Sequence, residues 1–204
     1  MKVRTDSCLS DRVVLPFIAT LAMVTAICLL APHLQAADVA KKPGPEHKKM
    51  EMTTGKWKSE GVTFESPFGP AGSMTGTAEV RMILGGLFLE IRNHSIGSEG
   101  TKDSVEIIAF DSVKSHYQDS YFASDGSFTP AWKGECAIGT IQGDTWNWSW
   151  NDEKGGKKYQ CREIDNVAAD RKSFSIVGCY SEDGQVWKKL YEAKCTKIGN
   201  VRNN

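Results

Sequence analysis

The chain has 204 residues, with 25 Lys and Arg against 25 Asp and Glu, and so no formal net charge near neutral pH. Balanced charge offers no field for nucleic acid or for an anionic membrane surface, so neither partner is expected. Setting a leader aside, the length suits a single domain.

The leader comes first. Lys2, Arg4 and Arg12 precede an apolar run from Val13 to Ala31, and Leu34-Gln35-Ala36-Ala37 offers small residues to a peptidase. This order predicts a secretory signal over 1–36, cut near Ala36, and a secreted or periplasmic mature protein. The run is long enough for a retained anchor, but Pro16 and the small-residue exit favour cleavage, so no membrane partner is expected afterwards. Ile27 beside Cys28 does not suit a lipoprotein signal. Cys8 and Cys28 leave with the leader; Cys136, Cys161, Cys179 and Cys195 stay. An even number of cysteines in an exported chain reads as disulfides. The lack of a Cys-x-x-Cys motif argues against a zinc or redox site.

Residues 37–56 read as linker and short helix, with Pro45 suited to a first turn and Gly55 to the helix end. Residues 57–198 read as β structure and 199–204 as a tail. Alternation and β-branched or aromatic content predict ten strands: Trp57–Ser66, Ser73–Leu84, Phe88–Ile96, Ser104–Asp111, Tyr117–Ser124, Ser127–Ala137, Thr145–Trp150, Lys157–Ile164, Ser173–Tyr180 and Val186–Lys197. Turn residues such as Leu84-Gly85-Gly86 and Glu182-Asp183-Gly184 punctuate them. Short linkers join antiparallel neighbours, and no stretch reads as a crossover helix. The fold class is therefore all-β, an antiparallel up-and-down meander that closes to remove its edges.

Gly55-Lys56-Trp57, placed between a short helix and the first strand, resembles the Gly-x-Trp signature of lipocalins and other calycin barrels. That resemblance implies a calycin-like barrel in which Trp57 plugs the closed end. Gly44-Pro45-Glu46-His47-Lys48, Gly55-Lys56-Trp57 and Leu84-Gly85-Gly86-Leu87-Phe88-Leu89-Glu90 together resemble the bacterial family labelled domain of unknown function 1579. Ala109-Phe110-Asp111 is similar to a Gly-Tyr-Asp block of that family. Where the family often has Trp-x-Asp, this chain has Tyr121-Phe122-Ala123 and lacks the carboxylate. The resemblance implies a barrel and no particular activity.

Catalytic signals are sparse. His47, His94 and His116 are scattered, with no paired metal spacing, and no metal or cofactor is expected. Haem-binding calycin relatives use a late histidine, and none follows His116. No Gly-x-Ser-x-Gly occurs. Among carboxylates, Asp111, Asp119, Asp125 and Asp144 are candidates for acid–base work, but the last three read as turn formers. Gly85-Gly86 reads as a tight hairpin, not a phosphate loop. No catalytic residue is assigned.

The aromatic set is the strongest functional signal. Trp146, Trp148 and Trp150 alternate, so in a strand they share one face. Phe128, Trp132, Cys136 and Ile138 share a face of the strand expected before it. These faces are expected to meet in the barrel interior, either as plain core or as the wall of a ligand cavity. Tyr121 and His94 are expected to add polar contacts. A hairpin near Asn166–Arg171 would bring Cys161 close to Cys179 and predicts that disulfide. The leading expectation is an exported barrel that binds a small apolar or amphipathic molecule. The alternatives are a barrel enzyme of isomerase or cyclase type, marked by a buried carboxylate or His with a perturbed pKa, and a ligand-free envelope interaction protein.

Overall fold

The computed structural model describes residues 42–201. The expected leader at 1–36, its cut near Ala36, Cys8 and Cys28 lie outside the described residues, as do 37–41, 202–204 and the side chain of Trp132.

The described chain starts with a short helix, α1 (Pro45–Met50). Pro45 has no N–H to lose at this position. The Gly44 N–H donates to His47 Nδ1 at 3.0 Å, so His47 caps the helix that contains it. A 3-10 turn, Glu51–Thr53, follows. Among the described residues, no helix is long and apolar enough to cross a membrane.

Eleven strands follow: β1 (Gly55–Thr63), β2 (Gly72–Ile83), β3 (Phe88–Gly97), β4 (Gly100–Asp111), β5 (His116–Ala123), β6 (Phe128–Thr129), β7 (Ala137–Gln142), β8 (Thr145–Lys154), β9 (Lys157–Val167), β10 (Ser173–Ser181) and β11 (Lys188–Gly199). All pairings are antiparallel. β1 pairs with both β2 and β11, and β4 pairs with both β3 and β5, so the sheet closes on itself. Ten strands form the ring, and the two-residue β6 rides on the edge of β5. The all-β, up-and-down reading therefore holds.

One expected strand does not exist. Ser127–Ala137 splits into β6, a 3-10 turn at Ala131–Lys133, and the approach to β7. Pro130 cannot donate to a ladder, and Gly134 takes a left-handed φ of 70°. Phe128 is consequently exposed and Cys136 buried. Ile138 pairs with Ser149 on the parity opposite to Gly139 and Ile141, which are buried. The expected common face of Phe128, Trp132, Cys136 and Ile138 is broken by these two backbone constraints.

The expected Cys161–Cys179 bridge is also corrected. Cys161 lies opposite Tyr180, and Cys179 lies opposite Arg162. The two cysteines are one register step apart and point to opposite faces. All four cysteines between Cys136 and Cys195 are free.

Two aromatic groups close the barrel ends. At the α1 end, Trp57 is 1% exposed, stands edge-on to Phe174 at 4.7 Å, and donates Nε1–H to the Thr53 carbonyl at 2.8 Å. At the other end, Phe68 from the β1–β2 connection packs against Tyr159 and Tyr180. α1 is pinned to the wall by Tyr117, whose buried hydroxyl lies 2.7 Å from Glu46 Oε2 and 3.0 Å from the Glu46 carbonyl. Tyr117→Phe removes this link and nothing else, so it should lower stability by about 1–2 kcal/mol. An unchanged denaturant midpoint would show that α1 is held by packing alone. Glu90, from the Leu-Gly-Gly block, sits on the outer face between Arg81 (2.6 Å) and Arg92 (2.8 Å), which marks it as a structural ion pair.

Candidate functional site

Alternate residues of each strand enter the barrel, and between the two aromatic ends they leave a partly open cavity of about 370 Å³. Val80, Ile91, Ile108, Val167 and Ile176 contribute apolar wall, and Trp57, Trp146 and Trp148 contribute indoles. Trp148 lies directly across from Gly139, and a Cβ on Gly139 would overlap its ring. The glycine lets the indole lie down against the neighbouring strand.

The middle of this apolar space is acidic. Glu106 from β4, Asp119 from β5, and Glu163 and Asp165 from β9 all line the cavity. All four are partly buried and border the cavity. Glu106 and Asp119 hydrogen-bond to one another, as do Glu163 and Asp165. Each contact needs a proton between two carboxyl groups. Asn93 Nδ2 donates to Glu106 Oε1 at 2.6 Å, the Tyr191 hydroxyl donates to Glu163, and the Trp148 indole donates to Asp165.

Burial dominates the titration of the cluster. Removal from water, with the Glu163 charge second, pushes the Glu106 carboxyl up to about 7. Asp119 is held well above the carboxylate range by burial and then by Glu106. Burial raises Glu163 too, and it raises Asp165 strongly, with Glu163 adding to the latter. Tyr191 is driven up by burial and by Glu163. The cavity lining contains no Lys or Arg to offset these acids.

Some hydrogen-bonding capacity is left over. Trp146 Nε1, on a side chain only 2% exposed, has no acceptor. One oxygen of Asp165, its direct cross-strand partner, has no donor, and neither has one oxygen of Asp119. Orphaned buried polar atoms are uncommon and call for an explanation.

The structure separates the expected site residues. Trp146 and Trp148 line the main cavity, and Tyr121 borders it. A second hollow of about 310 Å³ shares Glu106, Asp119, Tyr121, Trp148, Glu163 and Tyr191 with the first. It reaches the wall between Thr129 at the end of β6 and Ala137 at the start of β7, where Trp150 also lies. His94 touches the cavity edge, but its ring is half exposed and meets Asp103 Oδ1 at 2.7 Å on the outer face. The side chain of Trp132 lies outside the described residues.

Sequence reasoning passes over the acids. Asp119 reads as a turn former, yet it is an interior residue in the middle of β5. Asp125 is a turn former, bonding the Ser127 N–H, and Asp144 pairs with Arg171 at 2.7 Å. The available signal is parity. Glu163 and Asp165 share the phase of Tyr159, Cys161 and Val167, and Glu106 shares that of Ile108 and Phe110.

A closed antiparallel ten-stranded barrel with a short leading helix and a hollow interior defines a calycin-like protein. The chain belongs to the family described as "Protein of unknown function (DUF1579)", whose model matches residues 42–197. No curated protein matches the chain. Among solved structures it is similar to Rv2717c from M. tuberculosis, with a TM-score of 0.54 and 12% identity over 76% of this chain and 98% of that one. It is also similar to the S-type phycobiliprotein lyase CPES from Guillardia theta, with a TM-score of 0.49 and 7% identity over 79% of this chain and 100% of that one. At such identities the first likeness speaks for the fold alone.

Proposed function

We propose that this protein is an exported barrel that binds a small amphipathic molecule in its interior. The cavity carries the reading: it lies inside the barrel, is walled by aliphatic and indole groups, and is lined by Trp146, whose buried indole N–H has no acceptor. Specific small-molecule sites combine these features, with apolar area supplying affinity and a few polar atoms supplying orientation. Each 100 Å² of apolar ligand surface removed from water contributes roughly 2.5 kcal/mol before binding costs. Export is supported by the Lys2/Arg4/Arg12 cluster, the apolar run to Ala31 and the small residues at Ala36-Ala37. Mass spectrometry of the protein from its host should find an N-terminus near Ala37; a cytoplasmic chain beginning at Met1 would reject export.

The binding test uses an apolar fluorescent probe that alters tryptophan emission. Trp148 borders both hollows and is 6% exposed. Trp148→Ala should weaken the probe by about 2 kcal/mol, as for a packed aromatic contact at a binding hot spot. Arg202→Ala, in the C-terminal tail, serves as the control substitution. Unchanged affinity in a folded Trp148→Ala protein would remove the indole from the site.

One observation favours a second reading, a barrel enzyme of isomerase or cyclase type. Glu106 sits in the cavity with its carboxyl raised to about 7, a value suited to proton transfer near neutral pH. A copurified ligand recovered chemically unchanged after long incubation with the protein would reject that reading. A ligand-free interaction protein is disfavoured, because a filled barrel would have no such cavity.

A further inference from the structure

We propose that the acid cluster at the centre of the cavity is the seat of an organic ammonium group, so that the ligand is an amphipathic amine whose apolar body lies against Trp146 and Trp148. The inference rests on the binding reading above and names the ligand class for that same cavity.

Four carboxyl groups in one apolar enclosure are a costly arrangement. Isolated charges do not persist in such a place, and buried acids are normally paired with a cation or held neutral by protons. Here the lining supplies no Lys or Arg. Burial instead pushes both acid pairs, Glu106 with Asp119 and Glu163 with Asp165, toward their protonated forms. The two pairs also act on one another across the cavity, Glu163 raising Glu106 and Asp119. A bound cation removes this mutual repulsion.

Donor capacity points the same way. Asn93, Tyr191 and Trp148 each donate once into the cluster, and four carboxyl groups have more acceptor sites than three donors can fill. An ammonium group brings several N–H donors and a positive charge together. Among the described residues, no group of three or more His, Cys, Asp or Glu side chains is arranged to hold a metal ion. The indoles of Trp146 and Trp148 line the cavity with the acids and supply aromatic rings for an organic cation and area to bury its body.

Trp146 gives an independent pointer. Its N–H has no acceptor although the side chain is almost wholly buried, and its cross-strand partner Asp165 carries an oxygen without a donor. An unused donor and an unused acceptor on facing residues fit a ligand that carries both functions, an amine and a lone-pair oxygen. The break between β6 and β7, beside Thr129 and Ala137, leads to the same acids from the barrel wall and offers a way in.

The test compares three ligands of one shape: a methoxyphenyl-alkylamine, the alcohol in which hydroxyl replaces the amino group, and the carboxylic acid. Calorimetric titration at about pH 8 should rank the amine at least tenfold tighter than the alcohol, a difference in binding free energy of about 1.4 kcal/mol, with the acid weakest. The amine's advantage should shrink at about pH 5.5, where the carboxyl groups hold more protons, while alcohol binding stays unchanged. Glu106→Gln with Asp119→Asn should reduce the advantage to within about threefold, and so should Glu163→Gln with Asp165→Asn. These variants are isosteric, and the wild-type pH comparison probes the same four acids without any substitution. Equal binding of amine and alcohol, alongside binding of the apolar fluorescent probe, would overturn the ammonium seat and leave the binding barrel standing. If neither the probe nor any of the three ligands binds, both readings fall together. Tighter binding of the carboxylic acid would overturn the inference outright.

Discussion

Trp57→Ala should be among the most destabilising single substitutions in this chain, at roughly 3–5 kcal/mol, the range for a large aromatic removed from a packed core. Three separate roles end at this side chain. Its ring stands against Phe174 at 4.7 Å, its N–H satisfies the Thr53 carbonyl at 2.8 Å, and the Lys197 ammonium lies 5.7 Å from the ring centroid while bonding the Thr54 carbonyl. Removing the indole would leave a void at the barrel base and a buried carbonyl unpaired. For a domain of this size each kcal/mol moves the melting temperature by roughly 2–4 °C, so a fall of about 10 °C is expected. Trp57→Phe keeps most of the ring area and loses the N–H, and should cost about 1–2 kcal/mol. A melting temperature within a degree or two of wild type in Trp57→Ala would show that the base closes without its plug.

The position of Trp57 was legible because a single local rule applied. Gly55-Lys56-Trp57 follows a helix end and starts a strand, and the structure puts the indole inside on the first inward position after Gly55. Most strands were legible for the same reason: alternation is local, and burial on one face enforces it. Where legibility failed, information from elsewhere in the fold was needed. The Phe128-to-Cys136 stretch keeps an aromatic rhythm, yet Pro130 and Gly134 override it through backbone geometry. The Cys161–Cys179 pairing failed by one register step, which depends on where β9 and β10 turn, not on either cysteine's neighbours. The acid cluster was hidden more deeply. Glu106, Asp119 and Asp165 come from three strands, and their meeting point exists only once the sheet has closed. Their in-phase placement with Ile108, Tyr117 and Val167 could have raised the question, but a lone acid on an apolar phase is not distinctive without its partners.

Those acids should give the ligand-free protein a stability that declines as pH rises through the neutral range. The sign follows from proton counting. Glu106 has an ordinary value of 4.5 and a folded value of about 7, so between those pH values the folded chain binds more protons than the unfolded one. Stability therefore falls with rising pH across that window, and the loss is complete above the folded value. Asp119, Glu163 and Asp165 are shifted in the same direction by burial and add to the slope. The groups packed around them do not oppose it. Asn93 from β3 and Trp148 from β8 carry no charge in this range, while Tyr191 and Cys195 from β11 and Tyr121 from β5 are all raised by burial. His94, at the cavity edge, faces Asp103 outside the barrel. The rise of the Glu106 carboxyl from 4.5 to about 7 corresponds to on the order of 3 kcal/mol for the Glu106–Asp119 pair taken together. At the acid end the opposite term enters: Glu90, lowered first by Arg92, and Asp183, lowered by the Val186 and Gln185 N–H groups, contribute stability that is lost as pH falls through their folded values. The melting temperature should thus peak at about pH 5 and stand roughly 5–10 °C lower at about pH 8. Glu106→Gln with Asp119→Asn preserves volume and removes one of the shared protons, so it should raise the melting temperature at about pH 8 and cut the slope by about half, the remainder belonging to Glu163 and Asp165. A wild-type profile that is flat between those two pH values, or a slope untouched by the double substitution, would mean that water reaches these carboxyl groups freely and that the cavity is open to solvent.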